Sequence, residues 1–250
     1  MKLIGDPRHD RDWMVRVEGI FSSVTARERY VADALERIQV VLRLMRQIGI
    51  GRDSRVLELG ANPYLMTLMI RRYLEPQLSL ANYFGSDRTE TTAIDSIVLD
   101  DVRIDLPYWH FNIERDEFPF QGGEFDLVLF CEILEHLLVD PDRVVGEIAR
   151  ITKSRGHVLI STPNATRLPN LFFLAAGKSI WEWYSPNGPY GRHNREFTAA
   201  EIQDLLRRHG FDIVAIEVRN LQMLARRYTW LQWIRPTIWY EHNFVVGRKR

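Results

Sequence analysis

Arg55-Val-Leu-Glu-Leu-Gly-Ala-Asn-Pro-Tyr64 is the stretch on which the fold turns. Val56, Leu57 and Leu59 form an apolar run too short for a helix, and it stops at Gly60 and then at Asn62-Pro63. A buried parallel strand that turns into a helix has this pattern. Asn62 suits the N-cap, because its side chain accepts from a free N–H of the first turn. Pro63 suits the first helical position, where a missing N–H costs nothing. The expected helix runs through Leu65, Met66, Leu68, Met69 and Ile70 until Pro76. Strand, glycine turn and helix N-terminus make a cradle for a polar ligand.

Working outward, strands and helices alternate. Towards the N-terminus, Tyr30, Val31, Ala34, Leu35, Ile38, Val41, Leu42 and Met45 recur at threes and fours from Thr25 to Ile48, which predicts an amphipathic helix. Thr25 with Glu28 forms a capping box, and Gly49 and Gly51 close the helix. Residues 1–48 are thus expected as an N-terminal helical cap on a domain spanning 49–250. Towards the C-terminus, further strands are expected at Leu78–Phe84, Tyr108–Asn112, a run beginning near Phe125, Gly156–Asn164, Phe211–Val218 and His242–Gly247. The acidic stretch from Ile94 to Asp105 is expected as an exposed helix or loop. Asp140-Pro-Asp142 opens a helix with Val144, Val145, Ile148 and Ile151 on one face, and Phe197-Thr198 opens another through Ile202, Leu205 and Leu206. This order predicts an α/β fold: a Rossmann-like, seven-stranded, mostly parallel sheet with helices on both faces.

Two insertions interrupt the plan. One, at about 165–195, carries Phe172, Phe173, Trp181, Trp183, Tyr184 and Tyr190. It reads either as an aromatic lid over a substrate or as a satellite core beneath a long loop. The other, at about 223–241, is rich in Trp, Tyr and Arg, and reads as a membrane-surface or partner patch or as packing on the sheet edge.

Thirty-three basic and thirty-three acidic residues cancel, so no global field draws the protein to nucleic acid or an anionic membrane. The single Cys131 excludes an internal disulfide and fits a reducing, cytoplasmic setting. No apolar run has the length of a transmembrane span, and Met1-Lys-Leu-Ile-Gly-Asp lacks a signal-peptide core.

The segment Glu58-Leu-Gly-Ala-Asn-Pro-Tyr64 resembles the first motif of class I S-adenosylmethionine (SAM) methyltransferases, Glu/Asp-x-Gly-x-Gly-x-Gly. Asn62 and Tyr64 stand where that family has its second and third glycines. Gly123-Glu-Phe-Asp-Leu-Val-Leu-Phe-Cys-Glu-Ile-Leu-Glu-His-Leu137 is similar to the family's Phe-Asp strand and its Glu-x-x-Glu-His continuation. The resemblance covers roughly residues 50–250 and implies SAM as cofactor. It implies cofactor contacts from Glu58, Gly60, Ala61, Asn62 and Tyr64, ribose contacts from Asn82 or Asp87, and adenine contacts from Asn112 and Ile113, with Cys131 beside them. Asn82 stands where the family keeps an acid, and an amide bonds ribose without supplying charge.

An alcohol acceptor has a high pKa, so methyl transfer to oxygen calls for a base or a metal. Catalytic roles fall to His136 and Glu132. A helix beginning just after the fourth strand would put Glu132 on one face with Glu135 and His136. The Glu-x-x-Glu-His run also resembles the metal-site motif of ubiquinone O-methyltransferases and of small-RNA 2′-O-methyltransferases. The RNA group adds a histidine, for which Gly191-Arg-His-Asn-Arg-Glu-Phe-Thr198 offers His193. Glu132, Glu135, His136 and His193 would hold Mg²⁺, Mn²⁺ or Zn²⁺, though imidazoles argue against Mg²⁺ alone. The competing reading has no metal, with His136 as base or packing residue and Glu132 lining the cofactor pocket. His110, His157, His209 and His242 are expected at the surface or at strand ends. The expected function is O-methylation of a small polar acceptor such as a sugar, vicinal diol or catechol. The alternatives are RNA 3′-terminal 2′-O-methylation and a SAM-binding protein with degraded catalysis.

Overall fold

A computed structural model describes residues 16–17, 28–87, 89–181, 183–185, 188–220 and 240–250. The proposed Thr25 cap and nearly all of the 223–241 insertion lie outside the described residues. The chain divides into two compact units, residues 1–112 with 125–127, and residues 113–124 with 128–250.

In the first unit, helix α1 (Glu28–Gln47) buries Ala34, Leu35, Ile38, Val41, Leu42 and Met45, the stripe that its periodicity requires. It ends because Gly49 adopts φ 83, which suits a residue without Cβ. The Gly49 and Ile50 N–H groups then bond Arg46 O at 3.0 Å and Met45 O at 2.9 Å, closing the last turn. Strand β1 (Arg55–Leu59) pairs in parallel with β2 (Gln77–Asn82), from Arg55 opposite Gln77 to Leu59 opposite Ala81. Helix α2 (Leu65–Tyr73) joins them, and β2 pairs in parallel with β4 (Val102–His110). The stretch expected as helix or loop is instead strand β3 (Thr92–Leu99), antiparallel to β4. Asp100 and Asp101 turn that hairpin with φ 50 and 60, a conformation Asp tolerates better than most residues. The strand order here is β3-β4-β2-β1.

In the second unit, which holds all but the first three residues of β5 (Phe125–Cys131), the order is β5-β6-β8-β7, for β6 (Thr152–Pro163), β7 (Phe211–Arg219) and β8 (His242–Lys249). Strand β8 runs antiparallel to both β6 and β7. Helix α3 (Pro141–Ile151) starts where expected: Asp140 caps it by accepting from Asp142 N at 2.9 Å, and Pro141 occupies the first turn. Its Val144, Val145, Ile148 and Ile151 are fully buried, each contributing about 1.5–3 kcal/mol. Helix α4 (Leu168–Ala175) lies within the first insertion, and α5 (Ala199–Arg208) opens with a complete capping box of Thr198 and Glu201. The α/β, Rossmann-like, mostly parallel architecture stands, with eight strands rather than seven among the described residues. The additional strand is β3, whose alternation was hidden by its acidic, half-exposed face.

Candidate functional site

The turn after β1 is held by β2. Ala81 O accepts from Gly60 N at 2.8 Å and Ala61 N at 3.2 Å, and Asn82 Oδ1 accepts from Asn62 N at 2.9 Å. The helix starts two residues later than Asn62-Pro63 implied. Tyr64 occupies the N-cap with φ 71, after a cis Asn62-Pro63 bond, and Asn62 caps nothing. The Tyr64 ring packs with Ala61, Leu80, Leu106 and Tyr108. Its hydroxyl donates to Asp95 and accepts from Asn82 Nδ2, the latter at 2.9 Å. Burial, then Asp95, pushes that hydroxyl's pKa up, so it stays protonated.

Glu58 is fully buried. Its Oε2 accepts from Thr67 Oγ1 at 2.7 Å, while Oε1 has no hydrogen-bond partner. Burial pushes its carboxyl up to about 8, against the smaller pull of Thr67 and Arg71. An unpartnered buried acceptor at the end of β1 fits the ammonium of an amino-acid moiety. Asn82 is buried with both ends of its amide already engaged, and Asp87 is exposed.

In the second unit, Glu132 has φ 55 and is followed by a short 3-10 turn, Leu134–His136, rather than a helix. The helical-face premise for Glu132 therefore fails, and the next α-helix waits for Pro141. Segment 189–196 clasps that turn. Glu135 O accepts from Asn194 N at 2.7 Å and Arg195 N at 3.2 Å, and His136 O accepts from Asn194 Nδ2 at 2.9 Å. His136 Nδ1 lies 2.8 Å from Arg192 O. A carbonyl only accepts, so Nδ1 carries a proton, and in the neutral ring the lone pair is then on Nε2.

Ligand atoms of Glu135, His136 and His193 all come within 4.8 Å of one another. Glu135 is buried, with Oε2 accepting from Thr162 Oγ1 at 2.8 Å and Oε1 unpartnered. Burial, then the neighbouring Glu132 charge, raises its carboxyl to about 8. Glu196 backs His193 at 3.7 Å and accepts from Arg167 at 2.6 Å and Asn170 at 2.7 Å. Burial works to raise the Glu196 pKa, but His193, Arg167 and Asn170 together bring it below the usual range. Glu132 keeps different company: Ser161 Oγ donates to its Oε1 at 2.6 Å, and His242 Nε2 lies 3.0 Å from its Oε2. Two imidazoles, a carboxylate oxygen lacking a partner and a supporting carboxylate suit a divalent cation.

The chain matches the family described as "Methyltransferase domain" over residues 25–216. It belongs to that family. Its fold is the class I SAM-dependent methyltransferase fold. The "Ubiquinone biosynthesis O-methyltransferase" of Cupriavidus pinatubonensis is 28% identical to this chain over 111 residues, 44% of this chain and 43% of that protein. The protein of the same name from Roseobacter denitrificans is 25% identical over 167 residues, 65% of this chain and 62% of that protein. The chain thus spans less than two thirds of the length of either relative. A solved SAM-dependent methyltransferase of Archaeoglobus fulgidus superposes with TM-score 0.53 at 15% identity, covering 85% of this chain and 94% of that one.

The structure brings together three of the four residues expected at a metal and sets Glu132 apart. Cys131 is buried at the end of β5 with Sγ 3.9 Å from Leu159 O. Asn112 is buried and Ile113 half-buried, with Ile113 O accepting from Arg143 at 3.3 Å. Sequence reasoning missed Glu196, for which its place three residues after His193 was the available signal. It also set His242 aside as a strand-end residue. His242 does stand at the start of β8, but it is buried and paired with a residue 110 positions earlier, which no local pattern reveals. The insertion's aromatics Phe172, Phe173, Trp181, Trp183, Tyr184 and Tyr190 are all exposed. No described helix is long and apolar enough to cross a membrane.

Proposed function

We propose that this chain transfers the methyl group of SAM to one oxygen of a small polar acceptor carrying two neighbouring oxygens, as in a sugar, vicinal diol or catechol. A divalent cation held by Glu135, His136 and His193 assists. The observation that carries the reading is the buried, partnerless Glu135 oxygen within reach of two imidazoles. Support for an oxygen acceptor comes from the O-methyltransferase names of the two relatives.

SAM supplies a methyl carbon on a sulfonium, so the C–O bond forms as the C–S bond breaks and the acceptor's proton must leave. A bound cation lowers the pKa of an adjacent hydroxyl. The chain's own part is positioning. Arg192 O fixes the His136 tautomer and Asn194 ties the 134–136 turn down, while Glu196 orients His193. Glu58 offers the ammonium of SAM its free oxygen. Holding both reactants in line supplies much of the rate.

A mass-shift screen of saccharides, catechols and short RNAs with methyl-labelled SAM tests the reading. A single labelled methyl on a diol or catechol is expected. Label on the terminal ribose of RNA, with salt-sensitive binding, would replace this reading with RNA methylation. Failure of the chain to bind SAM at millimolar concentration would remove the enzyme altogether.

A further inference from the structure

Glu132 sits beside the proposed cation site, yet its carboxylate is fully engaged elsewhere. Oε1 accepts from Ser161 Oγ at 2.6 Å, and Oε2 lies 3.0 Å from His242 Nε2. A carboxylate can only accept, so His242 donates Nε2–H, and its Nδ1 is left buried without a partner. The Glu132 backbone is committed as well. Its N–H donates to Ser161 O at 2.8 Å, and its φ of 55 is a left-handed conformation that is strained for a residue with a Cβ. Such a conformation persists only where its surroundings enforce it. Ser161 on β6 and His242 on β8 are those surroundings, in adjacent strands whose register puts Ser161 opposite Phe244 and Pro163 opposite His242. Glu135, His136 and His193 form a cluster that does not include Glu132.

We infer that the cation site takes three protein donors, Glu135, His136 and His193, and that Ser161 and His242 hold Glu132 out of it. The inference rests on the cation reading above. His242 is then a positioning residue: it acts on the site only through the carboxylate it restrains. Glu132 supplies negative charge near the cation without occupying a coordination position. With only three protein donors, a divalent ion would have room for both oxygens of a vicinal pair. This favours acceptors that chelate over those with a lone hydroxyl. An ordinary buried pair closing a strand end would account for the two hydrogen bonds, and the variants below separate that case.

Mn²⁺ alone, titrated calorimetrically into the full chain and soaked into its crystals, is the probe. In crystals of the wild type, the ion is expected about 2.0–2.4 Å from Glu135, His136 and His193, with Glu132 still on Ser161 and His242. In solution, Glu135→Gln is expected to weaken Mn²⁺ at least about tenfold more than Glu132→Gln does. His242→Ala frees the carboxylate to reach the ion, so Mn²⁺ should bind several-fold tighter. His242→Gln keeps an N–H donor and should restore the wild-type value. A merely structural His242 would weaken binding or leave it unchanged, which overturns the inference. A Glu132 oxygen on the ion in the wild type, or equal losses in the Glu132 and Glu135 variants, overturns it while leaving the cation reading intact. No Mn²⁺ binding at millimolar concentration overturns both.

Discussion

Two buried glutamates, one in each unit, have nearly the same immediate surroundings. Glu58 gives one oxygen to Thr67 at 2.7 Å, and Glu135 gives one to Thr162 at 2.8 Å. In each the second oxygen is buried with no partner, and burial lifts both carboxyls to about 8. What differs is the next neighbour. Glu58 has the pull of Arg71, whereas Glu135 has the repulsion of Glu132 and two imidazoles within reach. On the proposed reading, the same isolated carboxyl serves an ammonium in one place and a metal in the other, with desolvation common to both and the surrounding donor set making the difference.

Replacing these residues in parallel breaks or sharpens the comparison. The largest effect is expected from Glu135→Gln or His193→Ala, each lowering turnover by about 100-fold or more. Initial rates with saturating SAM would show it, and rates within about threefold of wild type would detach the cluster from the reaction. Glu196→Gln reaches the cluster only through His193 and should weaken Mn²⁺ by about tenfold while leaving SAM affinity unchanged. Calorimetry with each ligand in turn reads both effects.

Glu58 enters through its proton. Its folded pKa of about 8 lies above the ordinary 4.5, so between those values the folded state retains a proton that the unfolded chain releases. Stability from this group is complete below about pH 4.5 and declines as pH rises towards 8. Melting curves of ligand-free Glu58→Gln should fall less steeply across that window than those of the wild type, and an unchanged slope would contradict the assignment. The smallest effects belong to the two threonines. Thr67→Val and Thr162→Val should each cost about 1 kcal/mol of stability, but only Thr162→Val should also alter Mn²⁺ affinity. Equal effects on Mn²⁺ would erase the contrast between the two glutamates.

What could be read in the sequence was what local pattern encodes. The apolar run ending at Gly60, the Asp140-Pro141 start of α3 and the Thr198–Glu201 cap all depend on residues within four positions of one another. Strand β3 was obscured because an edge hairpin with exposed Ile94 and Val98 carries only half of a buried alternation. The acids read there as a loop are in part the turn itself, Asp100 and Asp101. Asn62-Pro63 carried the right signals for a helix start, but the turn set by Ala81 and Asn82 moved that start to Tyr64. At the candidate site, the Glu-x-x-Glu-His spacing put Glu132 on one helical face with Glu135 and His136, but a 3-10 turn stands in place of that helix, and Glu132 pairs with Ser161 and His242 while Glu135 and His136 lie near His193. His242 pairs across 110 positions, and only the tertiary structure supplies that contact.

The most direct test of the whole account is methyl transfer from labelled SAM to a vicinal-diol or catechol acceptor, measured before and after a chelator strips divalent ions. The account predicts that transfer collapses on chelation and returns with Mn²⁺ in the wild type but not in Glu135→Gln. Turnover that persists undiminished in the chelator would contradict it.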